Sequence, residues 1–214
     1  MAGIEVRLSG GTWASVPVKT VKKDLQNSLD FINHYDMIET PINRMQILDF
    51  AAPAFLEALP KFGKLLEEMD GKGSHPAIED VLDDISSALR ALPASTDIWD
   101  WPDTPANRAA LRHAFSCCRY YSYGPALITK LLHLKRRRLV VPVDSRLRRA
   151  WPIPTPRGAE LDELVDITFD IGRELRKRRA SLARLRRTAD AMGWPYNRLS
   201  TLRLYDVISW WNTA

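Results

Sequence analysis

Two helical runs meet at Tyr120-Tyr121-Ser122-Tyr123-Gly124, an interval too short for anything but a tight turn, and this junction limits what the chain can become. Before it, Thr104-Pro105 is a helix start, a capping hydroxyl followed by proline, and the run continues through Leu111 and Phe115 to about Tyr120. After it, Pro125 to Leu134 forms a second run that ends in the basic loop Lys135-Arg136-Arg137-Arg138. Val140-Val141-Pro142-Val143 then leads to Asp144, which opens a third helix carrying Arg146, Leu147, Arg148 and Arg149.

The remainder is helical too, apart from the start. Ile4-Glu5-Val6-Arg7-Leu8 alternates, Ser9-Gly10-Gly11 is a turn, and alternation resumes from Trp13 to Val18, so a small N-terminal β-hairpin is expected. Val21, Leu25, Leu29 and Ile32 recur at helical spacing up to about His34. Thr40-Pro41 is a turn. Helical runs follow from Met45 through Leu59, interrupted at Pro53, and from Phe62 to Met69, closed by Asp70-Gly71-Lys72-Gly73. His75-Pro76 opens a helix with Ile78, Val81, Leu82, Ile85 and Leu89 on one face and a solvated acidic face of Glu79, Asp80, Asp83 and Asp84.

Farther on, the alternate prolines of Trp151-Pro152-Ile153-Pro154-Thr155-Pro156 exclude a helix, so residues 151–157 form an extended linker. A long helical region runs from Glu160 to Met192, ended by Gly193, and a last helix runs from about Leu199 to Trp211. Leu202, Tyr205 and Trp210 are expected on its buried side, with Trp194 and Trp211 also in the core. The expected fold is mainly α: one helical domain over residues 1–214 built of two lobes, with the hairpin and Asp144 within 105–150 and basic helices over 158–214.

At 214 residues, 45% apolar and 27% charged, the chain can bury a sizeable core. No stretch approaches the roughly 18 apolar residues of a membrane span. The start lacks a signal-peptide pattern, so a cytoplasmic protein without a membrane partner is expected. The adjacent Cys117 and Cys118, the only 2 cysteines, offer no disulfide framework and suit helix packing.

Charge is unevenly spread. Residues 1–107 hold 9 of the 31 Lys/Arg and 17 of the 26 Asp/Glu, so that part stands at −8 and the rest at +13. A basic half of this size attracts polyanions, nucleic acid above all, unless the acidic half neutralises it from within.

Few constellations remain for chemistry. His34, His75, His113 and His133 lack metal-ligand spacing, so no metal is expected, and no cofactor motif is present. No nucleophile elbow supports serine catalysis. A helix, a glycine turn and a second helix can aim backbone N–H groups at phosphate, which makes Ser122, Tyr123 and Gly124 candidate DNA contacts. Lys135, Arg136, Arg137 and Arg138 read as a phosphate patch or a solvated loop, with Arg146 and Arg149 as further phosphate contacts. Tyr120, Tyr121, Trp99 and Trp101 are candidates for wedging into a base stack or lining a base pocket, against plain packing. Asp144 is either an N-cap or a carboxylate facing a bound polyanion.

Gly124, Pro142-Val143-Asp144, Leu147 and Arg149 together resemble the helix–hairpin–helix DNA glycosylase superfamily, over about residues 105–150. That family carries a glycine-containing hairpin and, after apolar residues and Pro, a catalytic Asp followed by an apolar residue three on and Arg five on. Its hairpin usually reads Leu-Pro-Gly-Val-Gly. Here Tyr120-Tyr121-Ser122-Tyr123-Gly124 keeps the last glycine and places Ser122 at the first. A segment Lys130-Leu131-Leu132-His133-Leu134-Lys135 also resembles that of an uncharacterised bacterial family.

The superfamily resemblance implies a two-lobed glycosylase-like fold. It also implies base flipping in double-stranded DNA and hydrolysis of the N-glycosidic bond of a damaged or modified base by a monomeric enzyme. Asp144 would stabilise the sugar cation and assist water. Members that also cleave the strand carry Lys just after the hairpin glycine, where Pro125 and Ala126 stand, so a monofunctional enzyme is implied, with Lys130 one turn beyond in reach of the cleft. Damaged bases and the hypermodified pyrimidines of phage DNA, the latter in antiviral defence, are both open as substrates. A catalytically silent DNA-binding protein of the same fold and an RNA-binding or toxin–antitoxin accessory factor are the alternatives.

Overall fold

Gly10 and Gly11, at φ 79° and 83°, let the chain reverse where a side chain would be strained, and the computed structural model closes β1 (Ile4–Arg7) on β2 (Trp13–Val16) at this turn. The strands are antiparallel, with Ile4 opposite Val16 and Arg7 opposite Trp13. Alternation sends Ile4, Val6 and Val16 into the core. The structure describes residues 3–50, 78–119, 124–153 and 159–213.

Helix α1 (Val18–Asn27) follows, but the single helix expected up to His34 is broken at Ser28. The Ser28 hydroxyl donates to the Asp24 carbonyl at 3.0 Å, and the chain continues as a short turn, Leu29–Phe31, and a wider π-helical turn, Ile32–Asp36. Ile47–Phe50 forms a 3₁₀ turn at the start of the expected Met45 to Leu59 run. The rest of that run, the Phe62 to Met69 run, Asp70 to Gly73 and the His75-Pro76 helix start lie outside the described residues.

Helix α2 (Ile78–Arg90) buries Val81, Ile85 and Leu89 and exposes Glu79, Asp80, Asp83 and Asp84. Helix α3 (Pro105–Cys117) starts as its sequence dictates, with the Thr104 hydroxyl accepting from Asn107 N at 3.2 Å. Gly124 precedes α4 (Pro125–Lys135), and α5 (Ser145–Ala150) begins at Asp144. The long helix expected from Glu160 to Met192 is two, α6 (Glu160–Arg176) and α7 (Arg179–Met192), broken at Lys177-Arg178. Arg178 folds back onto Glu174, its Nη1 donating to the Glu174 carbonyl at 3.0 Å, and lays its guanidinium 3.4 Å above Trp13. Periodicity could not register a break between two basic turns. Helix α8 (Thr201–Asn212) closes the chain, capped by the Ser200 hydroxyl.

The described chain is mainly helical with one two-stranded sheet. One continuous apolar core joins Phe115, Leu131, Leu164, Ile171, Leu202 and Ile208. Helix α6 approaches the Ile98 loop so closely that a β-carbon on Gly172 would lie 2.7 Å from the Ile98 carbonyl oxygen. The hairpin docks on α7 and α8, with Glu5 N donating to Ser181 Oγ at 2.7 Å and Arg7 N to Tyr205 Oη at 3.3 Å.

Trp151 is buried edge-on to Trp13, while residues 154–158 of the proline-rich segment lie outside the described residues. Trp194, expected in the core, is 68% exposed. It follows the Gly193 helix end, where no helix face directs it inward. Among the described residues no helix is long and apolar enough to cross a membrane.

Candidate active site

Asp144 reaches its position through Thr129. The buried Thr129 hydroxyl, in the first turns of α4, donates back to the Pro125 carbonyl at 3.0 Å and accepts from Val143 N at 2.8 Å. Pro142 and Val143 are buried beneath it, so the residue before Asp144 is clamped to the helix that follows Gly124. Asp144 is extended, at φ −103° and ψ −175°, and its Oδ1 accepts from Arg146 N and Leu147 N, both at 2.9 Å. It is an N-cap. Its Oδ2 turns the other way and accepts from Trp210 Nε1 at 3.0 Å.

Asp144 and Trp210 together border a cleft of about 380 Å³ whose walls also include Phe31, Lys130, Arg203 and Asp206. Lys130 and Asp144, brought together by the α4 clamp, therefore share one cleft. Arg146, also a lining residue, lays its guanidinium 3.8 Å from the Trp210 ring centre. Trp210 is thus a half-buried wall of the cleft rather than a core residue, and the neighbouring half-buried Trp211 donates to Ser28 Oγ at 2.8 Å.

Behind the cleft lies a buried ionic chain. Arg203 Nε lies 3.0 Å from both oxygens of Asp36, and its Nη1 donates to Asp206 Oδ2. Burial pushes the Asp36 carboxyl up, but Arg203 and His133 outweigh it and leave Asp36 below its ordinary range. For Asp206 burial wins: with the Asp144 charge adding to it and Arg203 opposing, its pKa is pushed up to about 7. His133 is fully buried, its Nδ1–H donating to the Val140 carbonyl at 2.5 Å and its Nε2 lying 3.8 Å from Asp36. Burial lowers the His133 pKa, against the pull of Asp36.

The basic run is not a phosphate patch. Lys135 and Arg136 are 2% and 0% exposed. Lys135 Nζ sits 2.6 Å from Asp49 Oδ2 and also donates to Thr40. Arg136 spreads its guanidinium over the Leu92, Leu89, Ile42 and Lys135 carbonyls and Asn43 Oδ1. Arg137 donates to the Asp36, Ile38 and Leu134 carbonyls, and only Arg138 is exposed, paired through two bonds with Asp97. These side chains tie the end of α4 to segments 40–100 residues away in sequence, whose carbonyls act in place of phosphate.

Arginines of α6, α7 and the break between them are also engaged internally: Arg173 with Asp170, Arg178 with Glu174, Arg179 with Asp100 and Arg186 with Asp190. Much of the positive half is thereby neutralised within the molecule.

Trp99 and Trp101 do not line the cleft. Both are buried, and Trp101 stacks on Phe169 with ring centres 5.0 Å apart. Arg149 is exposed on α5 and Gly124 is half-buried. Tyr120, Tyr121, Ser122 and Tyr123 lie outside the described residues.

Sequence reasoning missed Asp36, Arg203 and Asp206. The signal lay in Leu202-Arg203-Leu204-Tyr205-Asp206-Val207-Ile208, where two opposite charges sit three apart inside an apolar helix. Such a pair is buried with each side chain in contact with the other.

Fold and site define a mainly helical protein with a paired-carboxylate cleft fed by three helices. The chain belongs to the family described as DUF6308, a family of unknown function, whose model matches residues 33–213 and so takes in every cleft residue except Ser28 and Phe31. No curated protein matches the chain, and no solved structure matches it.

Proposed function

We propose that the protein is a monofunctional DNA N-glycosylase of two-lobed helix–hairpin–helix type, acting on a damaged or enzymatically modified base in duplex DNA. The observation that carries this reading is the double attachment of Asp144. One oxygen is held by its own helix and the other by Trp210 at the edge of a cleft shared with Lys130. A carboxylate held by three N–H donors cannot swing away as charge develops beside it. The cleft volume of about 380 Å³ falls within the roughly 300–1,000 Å³ of small-molecule pockets and suits a flipped nucleotide.

In this mechanism the target nucleotide rotates out of the stack into the cleft, with Phe31 and Trp210 as aromatic walls. As the C1′–N bond lengthens, the Asp144 carboxylate stabilises the positive charge on the sugar and takes a proton from the water that attacks C1′. Lys130, on α4, offers a cation near the phosphate of the flipped nucleotide. Duplex DNA contact on the α5 side falls to Arg146 and Arg149, not to the Lys135–Arg138 run.

The test is to incubate duplexes carrying single modified bases with protein and then treat them with alkali. Abasic breaks are expected only after alkali, and no breaks from any duplex would end the reading. A second reading, a catalytically silent DNA-binding protein, rests on Oδ1 taking both cap N–H groups. Duplex binding without excision would favour it.

A further inference from the structure

Asp206 enters the same cleft as Asp144, from α8. Asp206 and Trp210 are four residues apart on that helix and so share a face, and Trp210 Nε1 holds Asp144 Oδ2. One helix therefore fixes both carboxyl groups relative to each other. Their surroundings differ. Asp144 is half-buried and receives three N–H groups. Asp206 is 6% exposed, and the Arg203 guanidinium that reaches it is shared with Asp36.

The charged groups around Asp206 are Arg203 from its own helix, Asp36 from the π-helical turn, Lys130 from α4, and Asp144 and Arg146 from α5. Two carboxyl groups in one cleft cannot both carry charge cheaply, and burial assigns the retained proton to Asp206.

We propose that Asp206 is a second catalytic residue, the carboxylic acid that protonates the departing base while Asp144 acts on the sugar and the water. This rests on the glycosylase reading. The C1′–N bond breaks with both electrons going to the base, and the Asp206 proton moves to a ring nitrogen or carbonyl oxygen of that base. Water oxygen bonds to C1′ and its proton passes to Asp144. Asp144 then releases that proton to solvent, Asp206 regains one, and the net reaction consumes one water. The substrate class is a base that leaves poorly as an anion and carries a proton-accepting nitrogen, of cytosine or adenine type, including modified cytosines.

The experiment is single-turnover excision by the full chain from duplexes containing a modified cytosine, N6-methyladenine (uncharged at the ring) or 5-fluorouracil, whose anion is a good leaving group. For the protonation-dependent bases the wild-type rate is expected to fall as pH rises above about 7. Asp206→Asn is expected to lower that rate about 100-fold or more and to remove the alkaline limb, while 5-fluorouracil excision changes only a few-fold. Asp144→Asn should abolish excision of all three.

An equal loss on every base, or an unaltered alkaline limb, would overturn the role of Asp206 while leaving the glycosylase reading intact. Failure of the wild-type protein on every duplex would overturn both. If circular dichroism shows Asp206→Asn unfolded, Asp206→Glu takes its place. It retains the proton, so an alkaline limb displaced along the pH axis supports the proposal and an unmoved one refutes it.

Discussion

Trp210 Nε1 donates to Asp144 Oδ2 at 3.0 Å, joining the last helix to the carboxylate that opens α5, 66 residues earlier. The indole serves as both cleft wall and hydrogen-bond donor, and the two roles separate on substitution. Trp210→Phe keeps an aromatic wall and removes the N–H. Base excision is expected to fall about tenfold, the equivalent of roughly 1.4 kcal/mol of lost orientation, with DNA affinity little changed. Single-turnover rates beside equilibrium binding check it.

Asp144 is cap and candidate catalyst at once, and two substitutions divide these roles. Asparagine can keep the cap, but its NH2 then meets the Trp210 N–H that Oδ2 accepts, so Asp144→Asn should lose about 1 kcal/mol of stability while excision disappears. Asp144→Ala should lose excision and, with the cap and the Trp210 acceptor both gone, roughly 2 kcal/mol of stability. If Asp144→Asn excises normally, the side chain is only a cap. Thermal denaturation paired with alkali-induced strand breaks reads both effects.

Arg136 is fully buried with carbonyls around its guanidinium and, among the described residues, no carboxylate partner. Arg136→Ala strands several buried acceptors and leaves a cavity, so a loss of about 3 kcal/mol or more is expected. Arg136→Lys cannot reproduce the planar fork and should be nearly as damaging. A phosphate-contacting arginine would behave oppositely, weakening duplex binding without moving the melting temperature. Urea denaturation of the two variants makes the distinction.

Stability should also respond to pH through Asp206. Its folded pKa of about 7 stands above the ordinary 3.8, so between these values the native state keeps a proton that the unfolded chain releases. The contribution of this group is therefore fully present below pH 3.8 and is lost as pH rises toward 7. Asp36 and His133 act in the other direction. The lowered pKa of each adds stability that is lost as pH falls, below 3.8 for Asp36 and below 6.5 for His133. Compared with wild type, Asp206→Asn should show a smaller decline in denaturation midpoint between pH 5 and pH 8. Parallel decline in both proteins would place the Asp206 proton elsewhere.

Much of the scaffold is legible in the sequence. Thr104-Pro105, Gly124-Pro125 and Asp144 mark helix starts, and each does so in the structure, because caps and prolines act on N–H groups within three residues. The alternation of Ile4 to Arg7 and Trp13 to Val16 likewise appears as the hairpin. The family resemblance placed Lys130 in reach of the Asp144 cleft, and the Thr129 clamp explains how the chain brings the two to one cleft. The Ser28 and Lys177-Arg178 breaks were not legible, since apolar spacing continues across both.

The sequence by itself determined where helices begin, where the hairpin turns and which carboxylate caps α5, all consequences of forces that act over a few residues. Only the tertiary structure decided which charges face inward. Lys135 and Arg136 look like a solvated basic run, yet they point into the molecule because carbonyls and Asp49 from distant segments converge on them. Arg203 and Asp206 look like an ordinary helical ion pair, yet Arg203 is shared with Asp36 and Asp206 faces the cleft that Asp144 also lines. A charge in a low-dielectric interior is stable only when its partner is already in place, and those partners are assembled by folding rather than by adjacency in the chain.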